Sequence, residues 1–319
     1  MCTCLRISNK KHYFGRTLDL EFHFHEEAVI TPRNYEFIRP HAEKIINKYA
    51  LIGTAFVCNN YPMYYEACNE YGLAMAGLNF PYNATYNKPI NGKLNLAIFE
   101  LFPYLLGNYK TIKEIRPILN NLNITDEAFN EQLPISPLHF MISDSKECIV
   151  LEQTKDGLII HENPYNVMTN NPLFDMQVQN LDKYKNLANE FKLADDPIYG
   201  CVGLGAVGLP GDYSSQSRFV KAYFMQKYAK EYEREEDNVS QFFHILDSVS
   251  MVKNTVLTKT NLSDITFYTA CINVTDGIYY YKTYDNNQIS ALKLSKENME
   301  SNSLTRHPLI TRQNINYIN

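Results

Sequence analysis

The sequence predicts an α+β fold in which antiparallel strands pack in layers with helices. Three observations carry this reading. Short alternating or apolar runs fill the first third of the chain, helical periodicity appears in separate later blocks, and strand-like runs return before the end. Strands in runs and helices in runs argue for antiparallel pairing rather than the βαβ alternation of a doubly wound parallel sheet.

The early strand runs are residues 3–8, 12–14, 28–31, 51–57 and 73–78, parted by polar breaks such as Ser8-Asn9-Lys10-Lys11. Helical signals follow. Leu94, Ile98, Leu101 and Leu105 recur at helical spacing, and Thr111 with Glu114 forms a capping box ahead of Ile115, Ile118 and Leu119. Pro103 and Pro117 are expected to end or kink these two helices. Strands return at 138–143, 148–153 and 158–161, the last two joined by an Asp156-Gly157 turn. Two amphipathic helices are expected over 217–232 and 239–252. Asn238 would cap the second, and the charge run 231–237 between them reads as a solvated turn. Strands at 266–273, 277–283 and 288–294 close the pattern. No internal repeat or low-complexity linker interrupts it, so residues 1–319 read as one domain.

A chain of 319 residues can bury a full core without disulfides or a metal. Its 30 Lys+Arg against 35 Asp+Glu give a formal net charge of −5, which offers no general attraction to nucleic acid or to an anionic membrane. Neither is expected as a partner. The seven cysteines (Cys2, Cys4, Cys58, Cys68, Cys148, Cys201 and Cys271) are odd in number and lack CxxC spacing. They read as free thiols in a reducing compartment. Arg6, Asn9, Lys10, Lys11 and His12 interrupt any secretory-type apolar run, and no segment approaches the ~18 apolar residues of a membrane-spanning helix. The expectation is a cytoplasmic chain.

Several familiar signatures fail on context. Gly203-Leu-Gly205-Ala-Val-Gly208 matches the dinucleotide-binding pattern, but Leu209-Pro210-Gly211-Asp212 follows where a helix must begin, so the segment reads as a loop. His23-Phe-His25 lacks a third placed ligand and reads as surface. His139 and His244 sit in apolar runs and read as core or interface histidines. Neither a Gly-x-Ser-x-Gly elbow nor a His-Glu-x-x-His motif occurs.

Cys2 is different. A residue this small after the initiator generally permits removal of Met1, which would put a thiol and a free α-amine on one residue. With ordinary pKa values of ~8.5 and ~7.7–8.0, a proton passes between the two at little cost near neutrality. The amine then serves as the base for the sulfur, as in other N-terminal nucleophiles.

The surroundings of Cys2 in sequence carry a resemblance. Met1-Cys-Thr3, Tyr13-Phe-Gly-Arg16-Thr-Leu-Asp19, Gly77-Leu-Asn79-Phe-Pro81, Met168-Thr-Asn170-Asn-Pro172, Gly208-Leu-Pro-Gly-Asp212 with Ser217-Arg218-Phe219, and the segment 279–288 occur in order along the chain. Together they resemble the choloylglycine hydrolase family, the bile salt hydrolases and penicillin V acylases. The resemblance implies a four-layer αββα sandwich of the N-terminal-nucleophile hydrolases, a linear-amide hydrolase without metal or cofactor, and a homotetramer. By similarity Cys2 is the nucleophile, forming a thioester that water hydrolyses. Arg16 and Asp19 match the family's Arg-x-x-Asp positions, Asp19 to orient the α-amine and Arg16 to favour the thiolate. Asn170 matches a side-chain oxyanion donor, Asn79 a backbone donor, and Arg218 the remaining active-site arginine. Read without the family, Arg218 is an exposed helix-end residue.

Asn79 within Leu-Asn-Phe-Pro points to the bile salt branch, and a steroid needs an apolar cleft. Loops matched to the family offer Leu18, Leu20, Phe22, Cys58, Tyr65, Phe129, Leu133 and Ile135, each of which reads equally as core. Departures from the common pattern are Thr17 where Asn is frequent and Phe140 where Trp is usual. Cleavage of glycine- or taurine-conjugated bile acids is the resulting expectation. Penicillin V or acyl homoserine lactone hydrolysis is the alternative within the family, and a non-catalytic binder of apolar ligands is the alternative outside it.

Overall fold

The computed structural model describes residues 1–40, 42–190 and 205–319. Two antiparallel sheets dominate it. The six-stranded sheet runs in the order Val167–Met168, Cys2–Ser8, His12–Leu20, Ile265–Asn273, Ile278–Thr283, Asn286–Lys293. The eight-stranded sheet runs Gly157–Glu162, Cys148–Thr154, Leu138–Ser143, Ala74–Asn79, Tyr61–Asn69, Leu51–Cys58, Glu27–Thr31, Thr305–Pro308.

Residue period explains the layering, because a strand buried on both faces sends alternate side chains into different cores. Ala74, Ala76 and Leu78 enter one core, which also holds Phe14, Leu18 and Ala270 of the six-stranded sheet and Phe219, Phe242 and Leu246 of helices Ser215–Tyr228 and Glu235–Asp247. Leu73 and Met75 enter the other, against Leu101, Leu105, Ile115 and Leu119 of helices Leu101–Asn108 and Ile112–Asn120. The result is the expected helix, sheet, sheet, helix sandwich.

Several elements differ from expectation. The run beginning at Leu94 is first a strand, Leu94–Ala97, paired in parallel with Leu122–Thr125, and turns helical only at Ile98. Pro103 does not end the helix that follows, because it lies in the first turn, where a missing N–H costs nothing. Pro117 is likewise inside Ile112–Asn120, whose start is capped by Thr111 Oγ1 accepting from the Glu114 amide at 3.3 Å. The charge run 231–237 is only half a turn: Glu235, Glu236 and Asp237 open the last helix, where carboxylates complement its dipole. Asn238 is therefore inside that helix, tied to Tyr232 and Arg234 rather than capping. His244 lies on its exposed side, opposite the stripe of Val239, Phe242, Phe243 and Leu246. Helix Phe174–Leu181 and strand Tyr61–Asn69 were not foreseen.

The strand carrying Arg16 sits tightly between its neighbours. A methyl group at Gly15 would lie 2.0 Å from the carbonyl oxygen of Ala270 on the adjoining strand. Gly15→Ala is expected to lower unfolding free energy by about 3 kcal/mol, read from urea unfolding, since backbone cannot yield as a side-chain tip would.

Candidate active site

Cys2 opens the strand Cys2–Ser8, paired with Leu18, and is buried. Arg16 comes from the next strand and crosses the space between the sheets. Its Nη2 donates to Cys2 Sγ, and its Nη1 donates to the carbonyls of Tyr65 at 3.2 Å and Gly77 at 2.5 Å on the eight-stranded sheet. Burial alone would lower the Arg16 pKa, but the facing Cys2, Tyr268 and Glu66 outweigh it and the net direction is upward.

The second arginine reaches the same residue from the helix side. Ser214 Oγ caps helix Ser215–Tyr228 at the Ser217 amide, and Asp212 accepts from the Ser214 amide at 2.8 Å and the Ser217 hydroxyl at 2.7 Å. That turn aims Arg218 inward. Its Nη1 donates to Cys2 O at 2.5 Å and Thr3 Oγ1 at 2.7 Å, and its Nη2 donates to Asn170 Oδ1 at 2.8 Å. Arg218 is 0% exposed, not a surface helix-end residue; burial lowers its pKa, against the pull of Asp19, Cys2 and Asp264.

Asn170 Oδ1 also accepts from the Cys2 amide at 2.7 Å, which turns its Nδ2 toward Asn79, whose carbonyl it meets at 2.7 Å. An amide carries two such N–H donors, and Asn79 takes one. Gln177 Nε2 donates to the Thr169 hydroxyl at 3.2 Å and the Asn170 carbonyl at 3.1 Å, fixing this turn from below. Asp19 is buried, its carboxylate accepting from Thr17 Oγ1 at 3.1 Å and Thr266 Oγ1 at 2.6 Å. Burial pushes its pKa up, opposed by the N-terminal ammonium and Arg218. The Met1 amine itself donates to Asp19 O at 2.6 Å and to Asp264 Oδ2 at 3.2 Å.

Cys2 and Arg16 form the floor of a cavity of about 330 Å³ that also touches Asn79. Of the expected apolar residues, Leu18, Leu20, Tyr65, Phe129, Leu133 and Ile135 line it. Phe22 and Cys58 do not. Phe22 is 53% exposed and packs with its ring tilted against Phe24, which lines the cavity in its place. Cys58 ends its strand two residues beyond the lining Phe56. Met63 and Leu138 on strands and Phe99 in the helical turn Ile98–Glu100 line the cavity too and went unforeseen; only their apolar character signalled them.

The remaining motifs fall elsewhere. Gly203 and Cys201 lie outside the described residues, and no helix begins at Gly208: the next starts at Ser215. His23 is exposed, as expected, and pairs at 3.2 Å with the buried Glu26. His139 is buried and stacks on Phe80, its ring nitrogens facing Glu152 at 3.1 Å and the Thr169 carbonyl at 2.8 Å.

A thiol on the second residue of the chain, opening a strand and backed by a buried arginine at the floor of an apolar cavity in an αββα sandwich, defines an amide hydrolase of the N-terminal-nucleophile class. The chain belongs to the linear amide C–N hydrolases, choloylglycine hydrolase family, whose model matches residues 2–307. It is 41% identical over 314 residues to a bile salt hydrolase/transferase of Lactiplantibacillus plantarum, covering 97% of both chains. A solved variant of conjugated bile acid hydrolase from Clostridium perfringens superposes with a TM-score of 0.92 at 36% identity over 100% of both chains. Penicillin V acylase from Agrobacterium tumefaciens, 21% identical with a TM-score of 0.76, covers 96% of this chain and 90% of its own, and shares the fold.

Glu152, beneath the Asn170 turn, gives a pH signature. Burial would raise its carboxyl, but His139, His161 and the Phe174 amide hold it at about 2. A depressed carboxyl stabilises fully above its ordinary range near 4.5 and loses that contribution as pH falls toward 2, here about 3 kcal/mol. Glu152→Gln is expected to be less stable than wild type at pH 5, with the gap closing by pH 2.5 in urea unfolding.

Proposed function

We propose that the chain hydrolyses the C–N amide of glycine- or taurine-conjugated bile acids, with Cys2 as nucleophile once Met1 is removed. The observation that carries this is the Cys2 sulfur, held by Arg16, at the floor of an apolar cavity. Leu18, Leu20, Phe129, Leu133 and Ile135 fit a steroid body, and Tyr65 adds an aromatic face.

In this reading the sulfur attacks the amide carbonyl carbon, and the electron pair of the C=O bond moves to oxygen. Asn170 Nδ2 and the Asn79 backbone N–H receive that oxyanion. The C–N bond then breaks, and glycine or taurine leaves with the proton that the Cys2 α-amine took from the thiol. Water, deprotonated by the same amine, hydrolyses the thioester. Splitting one difficult displacement into two is the use of a covalent thiol. The new amine takes the place of the Cys2 amide N–H, within reach of Asn170 Oδ1, while Asp19 supplies a nearby negative charge that supports its ammonium form. Arg218 fixes the orientation of Asn170 by bonding its oxygen. The same proposal takes residues 1–319 as one cytoplasmic unit that assembles as a homotetramer.

Penicillin V cleavage is the second reading, supported only by the shared fold. Glycocholate, taurocholate and penicillin V assayed side by side on a chain shown by intact mass to lack Met1 separate the two, and the conjugated bile acids are expected to turn over faster. No turnover of any of the three would leave only a binder of apolar ligands. Cys2→Ala is expected to abolish hydrolysis without changing circular dichroism or Tm, and Asn170→Ala to lower kcat by ~10²–10³. Near-wild-type hydrolysis by the Cys2→Ala chain would sink the assignment.

A further inference from the structure

We infer that Glu66 is a positioning residue for the nucleophile: from the interior strand Tyr61–Asn69, its carboxylate anchors the Arg16 guanidinium from behind and competes with the Cys2 sulfur for that guanidinium's charge. The inference rests on the reading of Cys2 as nucleophile.

Glu66 is 0% exposed and lies outside the cavity lining, so it does not touch substrate. Its Oε1 accepts from Tyr279 at 2.6 Å and its Oε2 from Tyr268 at 2.7 Å, while Thr54 bonds the Tyr279 hydroxyl. Arg16 Nε stands 3.9 Å from Oε2, beyond hydrogen-bond reach. That distance decides how the two interact. The hydrogen bonds of Arg16 go to the carbonyls of Thr17, Tyr65 and Gly77 and to the sulfur, none of which carries a fixed negative charge. The link to Glu66 is therefore Coulombic, and Coulomb coupling between buried groups is little screened.

Among the described residues, the titratable groups that bear on Glu66 are Arg16 from strand His12–Leu20, Tyr268 and Tyr279 from the two strands beyond it, Cys4, and the adjoining Tyr65. Arg16 is the one cation of that set. When Glu66 is ionised, part of the field of Arg16 ends on it; when it is neutral, the sulfur receives the whole. Burial pushes the Glu66 carboxyl up to about 7 against Arg16 and the hydroxyls of Tyr279, Tyr268 and Thr54, so this division changes across the neutral range.

The test uses the chain with Met1 removed, verified by intact mass. Cys2 alkylation by iodoacetamide is followed on the N-terminal peptide from pH 5 to 9. In Glu66→Gln, which keeps shape but never ionises, the midpoint of alkylation is expected to fall by about one pH unit. The plateau rate should fall about threefold, because a less basic thiolate is a poorer nucleophile. Glycocholate kcat should drop with KM unchanged, and Glu66→Asp should return the midpoint toward wild type. Tyr268→Phe and Tyr279→Phe, each withdrawing one donor from the carboxylate, should shift the midpoint the same way by less. An unmoved midpoint in Glu66→Gln, or in both phenylalanine variants should Glu66→Gln not fold, overturns the inference. Alkylation needs no substrate, so failure to hydrolyse any amide would sink the proposed function and leave this measurement standing.

Discussion

A guanidinium buried between two sheets is the constraint from which the rest of the site follows. Arg16 is 1% exposed, and an isolated charge in that position would be prohibitively costly. The fold meets it with three carbonyl oxygens, one carboxylate at 3.9 Å and the sulfur of Cys2. Because two of those carbonyls belong to the opposite sheet, the arginine ties the sheets together at the point where the thiol must be held. Bonding the sulfur and joining the layers are one interaction seen from two directions.

Arg218 does the same one layer out. It joins the helix Ser215–Tyr228 to the six-stranded sheet by donating to Cys2 and Thr3, and its remaining contact locks the oxygen of Asn170. Which end of that amide turns toward Asn79 is thereby settled by an arginine that does not line the cavity. The second residue of the chain is gripped on its sulfur by one guanidinium and on its carbonyl by another, so the sulfur has little freedom to turn from the cavity.

These same polar groups explain what could and could not be read from sequence. Strands whose alternate residues enter two apolar cores, such as Ala74–Asn79 and Cys148–Thr154, announce themselves by the apolar runs at 74–78 and 148–151. His12–Leu20 was legible only over its first three residues, because Gly15, Arg16 and Asp19 break the pattern while being as buried as leucine. Tyr61–Asn69 was missed because Pro62 and Glu66 look foreign to a central strand. Pro62 is near the strand's start, and Glu66 is satisfied by hydroxyls from strands more than 200 residues away in the chain. The six motif residues were legible because their types and order are unusual. The cavity wall was not, since an apolar side chain facing a cleft and one facing a core look alike: nothing local distinguishes Phe22, which is out, from Phe24, which is in.

Two glutamates without solvent exposure show how their partners, set against burial, decide their charge. Glu152 is ringed by two histidines and a backbone amide, donors that favour the ionised carboxylate, and its carboxyl falls to about 2. Glu66 has an arginine held at 3.9 Å and neutral hydroxyls otherwise, and desolvation wins, leaving its carboxyl at about 7. The difference follows from where Arg16 directs its bonds. Were its fork turned onto Glu66, a bidentate pair would hold the carboxylate ionised and leave the sulfur without its partner. The geometry that gives the guanidinium to Cys2 is thus the same geometry that leaves Glu66 free to titrate.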